Sequence, residues 1–310
     1  MVKILVIGDL HGRMPNIYFK EFDCIVCVGD VCDDRDFLSY IHKWFKLIIE
    51  DTKTNVDYRD LIIEDVGEKG LKKFEENSLK KGRKVLEYLD SFGKPVFFIP
   101  GNWDQSYGET RIKDSEKNSY NKIKFWIDLW SGKKTNSFLI KGLKNVRDCQ
   151  DKTFDFSGLN FLGYGLCNAP EEFIERAKKQ KLSKDKFRII EKSSYKLYNW
   201  IVEKYKNRNK KFPVIFLSHN VPHNTKLDLI LNKKSPRYKT HAGSKFARKF
   251  CLKYNPLLCI GGHMHEHFGK DKLGKTVVVN AGYGKDAQVL IDVDEKRGKV
   301  RKIKFNPLYK

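Results

Sequence analysis

Ile4-Leu5-Val6-Ile7-Gly8-Asp9-Leu10-His11-Gly12 is an apolar run that breaks at once into Asp and His between glycines. A continuous apolar stretch this short reads as a buried β-strand. The same order recurs four times. Cys24 to Val28 leads into Gly29-Asp30-Val31-Cys32-Asp33, and Pro95 to Ile99 into Gly101-Asn102-Trp103-Asp104. Val214 to Leu217 leads into Ser218-His219-Asn220, and Leu257 to Ile260 into Gly262-His263-Met264-His265. Five strands thus deliver Asp9, His11, Asp30, Asn102, His219, His263 and His265 to one edge, and sites in sheet folds of this type form at the carboxyl ends of strands. Each cluster alone reads as a turn or a cap; their joint order does not.

Working outward, strands alternate with helical patterns, which argues an α/β fold. Phe37 to Ile49 has helical spacing, residues 51 to 67 read as polar and irregular, and Lys69 to Phe92 reads as a long charged helix closed by Gly93. Residues 105 to 135 are poor in strand signals, with Phe125, Trp126, Ile127, Leu129 and Trp130 as an apolar exception read as core packing. Phe154–Phe156 and Leu159–Leu162 read as a hairpin. Residues 170 to 207 read as charged helix, either a cap over the site or a structural layer. Ala242 to Tyr254 reads as a helix with Ser244 as N-cap. Thr276 to Val279 is a strand, and residues 287–293 and 299–305 form a terminal hairpin. Chemistry-bearing residues near positions 9 and 265 must meet, so residues 1–310 read as one domain with helical insertions at about 51–92, 105–135 and 170–207.

The 310 residues carry a formal charge of +22. The lysines are spread along the chain, so a solvated Lys/Glu surface is the favoured reading, with a phosphorylated or nucleic-acid partner as the alternative. No run of 18 apolar residues suggests a membrane span. Seven cysteines, an odd count, and a start that leads straight into a strand suggest a reducing cytoplasm. Cys24 and Cys27, three apart on a strand, point to opposite faces and cannot grip one metal there. Cys32 reads as loop filler.

The five motifs resemble the signature of the calcineurin-like metallophosphoesterase superfamily: D-x-H, G-D-x-x-D, G-N-H-D/E, a lone His and G-H-x-H. The resemblance spans about residues 3 to 283. It implies a four-layer sandwich, two mixed β-sheets packed face to face with flanking helices. It implies two divalent transition-metal ions, Mn first, with Fe, Ni, Co or Zn as alternatives. Asp30 matches the bridging ligand. Asp9, His11 and His265 complete one metal, and Asn102, His219 and His263 the other. Asp33 and Asp104 match supporting positions that orient ligands. The implied chemistry is hydrolysis of a phosphate ester by a metal-bridging hydroxide.

One position departs from the pattern. The family's His in G-N-H-D/E is Trp103 here, and an indole cannot supply a catalytic proton. His223 and His241 are the candidate replacements by proximity in sequence, with His267 weaker; each also reads as an ordinary structural histidine. The run Ser218-His219-Asn220-Val221-Pro222-His223-Asn224-Thr225-Lys226-Leu227-Asp228 is similar to one found in a prokaryotic branch likened to cyclic-nucleotide phosphodiesterases. A phosphodiester is therefore the favoured substrate. A phosphomonoesterase on nucleotides, a nuclease and a non-catalytic scaffold are the alternatives, in that order.

Overall fold

A computed structural model of the chain describes residues 1–51, 56–104, 137–150, 152–165, 167, 169–235 and 237–308. Two six-stranded mixed sheets carry the fold. The first contains β1 (Val2–Ile7), β2 (Cys24–Cys27), β3 (Val96–Phe98) and β4 (Val146–Asp148) in parallel, with β11 (Val289–Asp294) antiparallel beside β1 and β12 (Lys299–Phe305) antiparallel beside β11 at the edge. In the second, β6 (Leu159–Tyr164), β7 (Val214–Asn220), β8 (Leu258–Gly262) and β10 (Thr276–Asn280) run parallel. Antiparallel β5 (Thr153–Phe156) and β9 (Gly269–Leu273) form its edges.

Central parallel strands are buried on both faces, which is why they read as unbroken apolar runs. Alternate residues divide between the two faces. Val2, Ile4, Val6, Cys24, Val26 and Phe97 meet Phe161, Ile215, Leu217, Leu258 and Ile260 between the sheets. Phe97 and Phe161 stack with ring centroids 3.9 Å apart, tying the sheets at their middle. Leu5, Ile7, Ile25, Cys27 and Phe98 face outward onto Leu79, Val85, Leu86 and Leu89 of helix α2 (Tyr58–Asp90). Tyr164, Phe216 and Cys259 face outward onto α5 (Lys184–Lys206) and α6 (Lys245–Tyr254). Helices outside two stacked sheets make the expected four layers. Cys24 and Cys27 do lie on opposite faces. All seven cysteines are buried and reduced.

Helix α1 (Leu38–Glu50) forms where the periodicity placed it. Helix α2 starts much earlier than Lys69. A capping box between Asp57 and Asp60 starts it at Tyr58, and the helix breaks and resumes at Gly67, whose φ is 70°. Residues read as irregular are thus largely helical, because a local cap outweighed a polar composition. Helices α3 (Ser137–Ile140) and α4 (Ala169–Lys179) complete the set among the described residues. In α5, Leu197, Tyr198 and Ile201 are buried against the second sheet, so this stretch is a structural layer. Ser244 caps α6 by accepting from Ala247 N. The short β4 and the polar edge strand β9 were not anticipated. The 105–135 insertion, with Trp126 and Trp130, lies outside the described residues. No helix of the described residues is long and apolar enough to cross a membrane.

Candidate metal centre

The loops after β1 and β2 are zipped together by their own backbones. Asp9 N donates to Gly29 O (3.0 Å), His11 N to Asp30 O (2.8 Å) and Gly12 N to Val31 O (2.9 Å). Asp9, His11, Asp30 and His263 all hold positive φ, at 47°, 45°, 51° and 66°. Such backbone is uncommon away from glycine and clusters at functional sites. A Cβ at Gly101 would collide with Asp30 Oδ1 and His219 Cε1, so only glycine lets the β3 loop pass beneath these side chains. His219 sits on β7 where its register with β8 shifts between Leu217 and Asn220, an irregularity of the kind that re-aims a side chain.

The seven side chains converge. Asp30 Oδ2 lies 3.7 Å from His11 Nε2 and 3.4 Å from His219 Nε2. Asn102 Oδ1 lies 2.9 Å from His219 Nε2 and 3.0 Å from His263 Nδ1. His265 Nε2 is 3.9 Å from Asp9 Oδ2, and its ring meets that of His11 at 5.1 Å. The two histidines of Gly-His-Met-His thus serve opposite sides: His263 packs on His219 and His265 on His11. His219 Nδ1 donates to Val28 O at 2.8 Å, which fixes the ring with Nε2 turned toward the centre.

Charge is crowded here. Burial pushes the Asp9 carboxyl up to about 7, with Asp30 adding to the shift and His219 opposing it. Burial would also raise Asp30, but the imidazoles of His219 and His11 hold it below the usual carboxylate range. His219 is raised to about 9, because Asp30 outweighs the burial that would lower it. Burial lowers His263 to about 3 and His265 to about 4, helped by the neighbouring imidazoles, so both are neutral and able to ligate. Asp9 Oδ1 and His11 Nε2 are buried without a hydrogen-bond partner. Buried polar atoms are almost always paired. Unpartnered oxygen and nitrogen donors, aimed at one another, fit divalent transition metals.

Asp33 and Asp104, the two expected supporting residues, take different partners. Asp33 pairs with Arg35 (2.7 Å) and Lys81, away from the ligand rings. The carboxylate against His11 is that of Asp34, with Oδ2 2.9 Å from Nδ1. Two adjacent aspartates cannot be told apart by motif spacing. Asp104 accepts from Cys32 N and Gly101 N, both at 2.9 Å, and so clamps the β2 and β3 loops together. Trp103 donates its backbone N–H to Asp30 Oδ1 at 2.8 Å, while its ring packs among Phe37 and Tyr58.

His223 and His241 stand together, with ring centroids 5.7 Å apart, in a cleft of about 420 Å³ that also presents Arg237 and Lys245. None of the seven converging residues is among the described residues lining it. His241 Nδ1 is 2.8 Å from Asp228 Oδ1. His267 Nε2 donates to Leu229 O at 2.6 Å and is structural. Sequence reasoning passed over Tyr283, which stacks on His265 at 4.2 Å with Arg13 over its ring. It also passed over Cys167, whose sulfur joins His219 and His263 in a metal-competent cluster. Cys167 also follows an apolar strand and a glycine, but that spacing does not say that its strand end stands beside His219.

The chain matches the calcineurin-like phosphoesterase family over residues 2–267. It is 36% identical over 284 residues to the uncharacterised protein MJ1162 of Methanocaldococcus jannaschii, covering 90% of this chain and 87% of that one. One crystal structure shares the fold with a TM-score of 0.54 at 15% identity, covering 98% of both chains. The phosphopantetheinyl hydrolase PptH of Mycobacterium tuberculosis aligns at 12% identity over 91% of this chain and 89% of that chain, with a TM-score of 0.47. The chain belongs to the calcineurin-like phosphoesterase family, and metal-dependent hydrolysis of phosphate esters is the chemistry that membership carries.

Proposed function

We propose that the chain is a phosphoesterase working with two divalent ions and preferring phosphodiesters. The observation that carries this is Asp30, whose Oδ2 faces the His11 side and the His219 side of the centre at once. Asp9, His11, Asp30 and His265 would hold one ion, and Asp30, Asn102, His219 and His263 the other. When bound, such a pair supplies Lewis acidity toward the phosphoryl oxygens and a water acidic enough to ionise near neutral pH.

The rest is done by side chains. The imidazoles around Asp30 keep it ionised without metal, so the shared carboxylate is ready. Val28 O fixes the His219 ring, and Asp34 lies against Nδ1 of His11. Trp103 removes the usual proton donor, which favours substrates whose leaving group departs unprotonated. Where a donor is needed, His241 is the better candidate. Burial pushes His223 below its ordinary value, and His241 Nδ1 lies 2.8 Å from Asp228 Oδ1, a carboxylate that orients its ring. We place the protein in a reducing compartment, which buried reduced cysteines suit.

The deciding assay strips the protein of metal, reloads it with Mn, Ni, Fe or Zn, and offers a monoester and a diester with one chromogenic leaving group. Faster diester cleavage is expected. A monoester preference overturns the substrate class, and no turnover with any metal overturns the enzyme. An oligonucleotide tested over a salt series examines the nucleic-acid alternative.

A further inference from the structure

We propose that Cys167 is a thiolate ligand on the Asn102 side of the centre, an inference that rests on the two-metal reading above. Cys167 Sγ and a ring nitrogen from each of His219 and His263 all lie within 4.8 Å of one another. Donors held at about 2.0–2.3 Å by one tetrahedral ion stand roughly 3.3–3.6 Å apart. The three donors therefore close on an ion by drawing together by about 1 Å or somewhat more. Asn102 Oδ1, near both histidine nitrogens, and the shared Asp30 carboxylate complete a set of two oxygens, two nitrogens and one sulfur.

Topology explains the meeting. β6 pairs in parallel with β7, with Tyr164 opposite Ser218, so the turn after β6 emerges beside His219. Gly165 N donates to Gln150 Oε1 at 2.7 Å and anchors that turn. A Cβ at Gly165 would strike Pro100 O, so the turn lies directly against the loop that carries Asn102. Cys167 is 8% exposed and takes φ 53°, the backbone region used by Asp9, His11, Asp30 and His263. Among the described residues it is the one cysteine in a metal-competent cluster.

The consequence is asymmetry. The Asp9, His11, Asp30 and His265 side offers only oxygen and imidazole, which suits Mn. A thiolate softens the other side toward Zn, Fe or Co. On binding, the Cys167 S–H bond breaks, its electron pair goes to the metal and the proton leaves to solvent. No oxidant or reductant is required.

The test uses the full chain, stripped of metal and titrated with Co(II). A near-ultraviolet thiolate-to-cobalt charge-transfer band should appear and saturate with one of two bound cobalt ions. In Cys167→Ser the band should vanish while the visible cobalt bands persist, and the preference for Zn over Mn on that side should fall by about tenfold or more. X-ray absorption of the zinc-loaded wild type should show one sulfur at about 2.3 Å, which decides the matter even if the variant folds poorly. Two bound cobalt ions with no charge-transfer band, a band that survives Cys167→Ser, or zinc with no sulfur neighbour would each overturn the Cys167 proposal and leave the two-metal centre standing. A chain that binds no cobalt would overturn both.

Discussion

His11 Nδ1 and Asp34 Oδ2 lie 2.9 Å apart, with both side chains nearly inaccessible to solvent. A carboxylate against that nitrogen favours the ring orientation in which Nε2 faces Asp30. Asp34→Asn should therefore weaken metal binding by about 10–100-fold while leaving the melting temperature close to wild type. Asp33→Asn should do the reverse. It loses pairs with Arg35 and Lys81, whose side chains are half in water, which costs about 1 kcal/mol or less. Calorimetric titration of both variants with Mn or Zn, beside thermal melts, checks the pair. Equal metal affinities would show that the Asp34 contact does not position His11.

Asp30 is the side chain on which the two sides of the centre depend. Asp30→Asn keeps the hydrogen bond from Trp103 N but loses the charge that both histidine faces meet. Bound metal should drop below two per chain, and turnover should fall by about 10³-fold or more, the scale of several kcal/mol of lost charge stabilisation. His219→Ala should match it. Elemental analysis and a diester assay on the folded variants decide; a fully active Asp30→Asn protein would remove the dinuclear reading.

The strands that hold these residues were legible because each is buried on both faces, which leaves an unbroken apolar run that ends abruptly at the ligand. Ile4 to Ile7 before Asp9, and Leu257 to Ile260 before His263, are such runs. The polar edge strand β9, Gly269–Leu273, had no such signal, because an edge strand meets water on one side and needs no apolar run. The start of α2 was hidden because a cap made by Asp57 and Asp60, not periodicity, sets it. Asp34 and Cys167 are matters of tertiary placement. Which of two adjacent aspartates turns toward His11, and which strand end stands next to His219, follow from backbone packing that spacing does not encode.

Trp103 predicts a steep dependence of rate on the leaving group. Its ring is committed to an aromatic cluster with Phe37 and Tyr58, so nothing at this position donates a proton to the departing oxygen. General acid catalysis is commonly worth about 10²–10⁴-fold, and poor leaving groups should lose that amount relative to phenolates of low pKa. Rates over a series of diesters with rising leaving-group pKa measure the slope. A flat series in wild type that steepens in His241→Ala would transfer the donor role to His241. A flat series unaffected by either His223→Ala or His241→Ala would refute the missing-acid account.

Glu171 supplies a pH signature of folding. Its Oε1 accepts from Ser244 Oγ (2.7 Å) and Phe246 N (2.8 Å) at the start of α6, while Oε2 is buried without a hydrogen-bond partner. Burial dominates those two bonds and pushes the carboxyl up from 4.5 to about 7. A carboxyl that binds its proton more tightly when folded makes the folded state lose ground as pH rises. Below pH 4.5 both states are protonated and the residue contributes no pH dependence. Between 4.5 and about 7 the unfolded chain ionises first, and stability declines; above about 7 the loss is complete, at up to about 3 kcal/mol. Glu171→Gln retains an acceptor for Ser244 and Phe246 but cannot ionise. The variant should therefore match wild type near pH 4.5 and exceed it at pH 8, as denaturant melts at the two pH values would show. Parallel pH profiles for the two proteins would mean that Glu171 ionises as readily in the fold as in the unfolded chain.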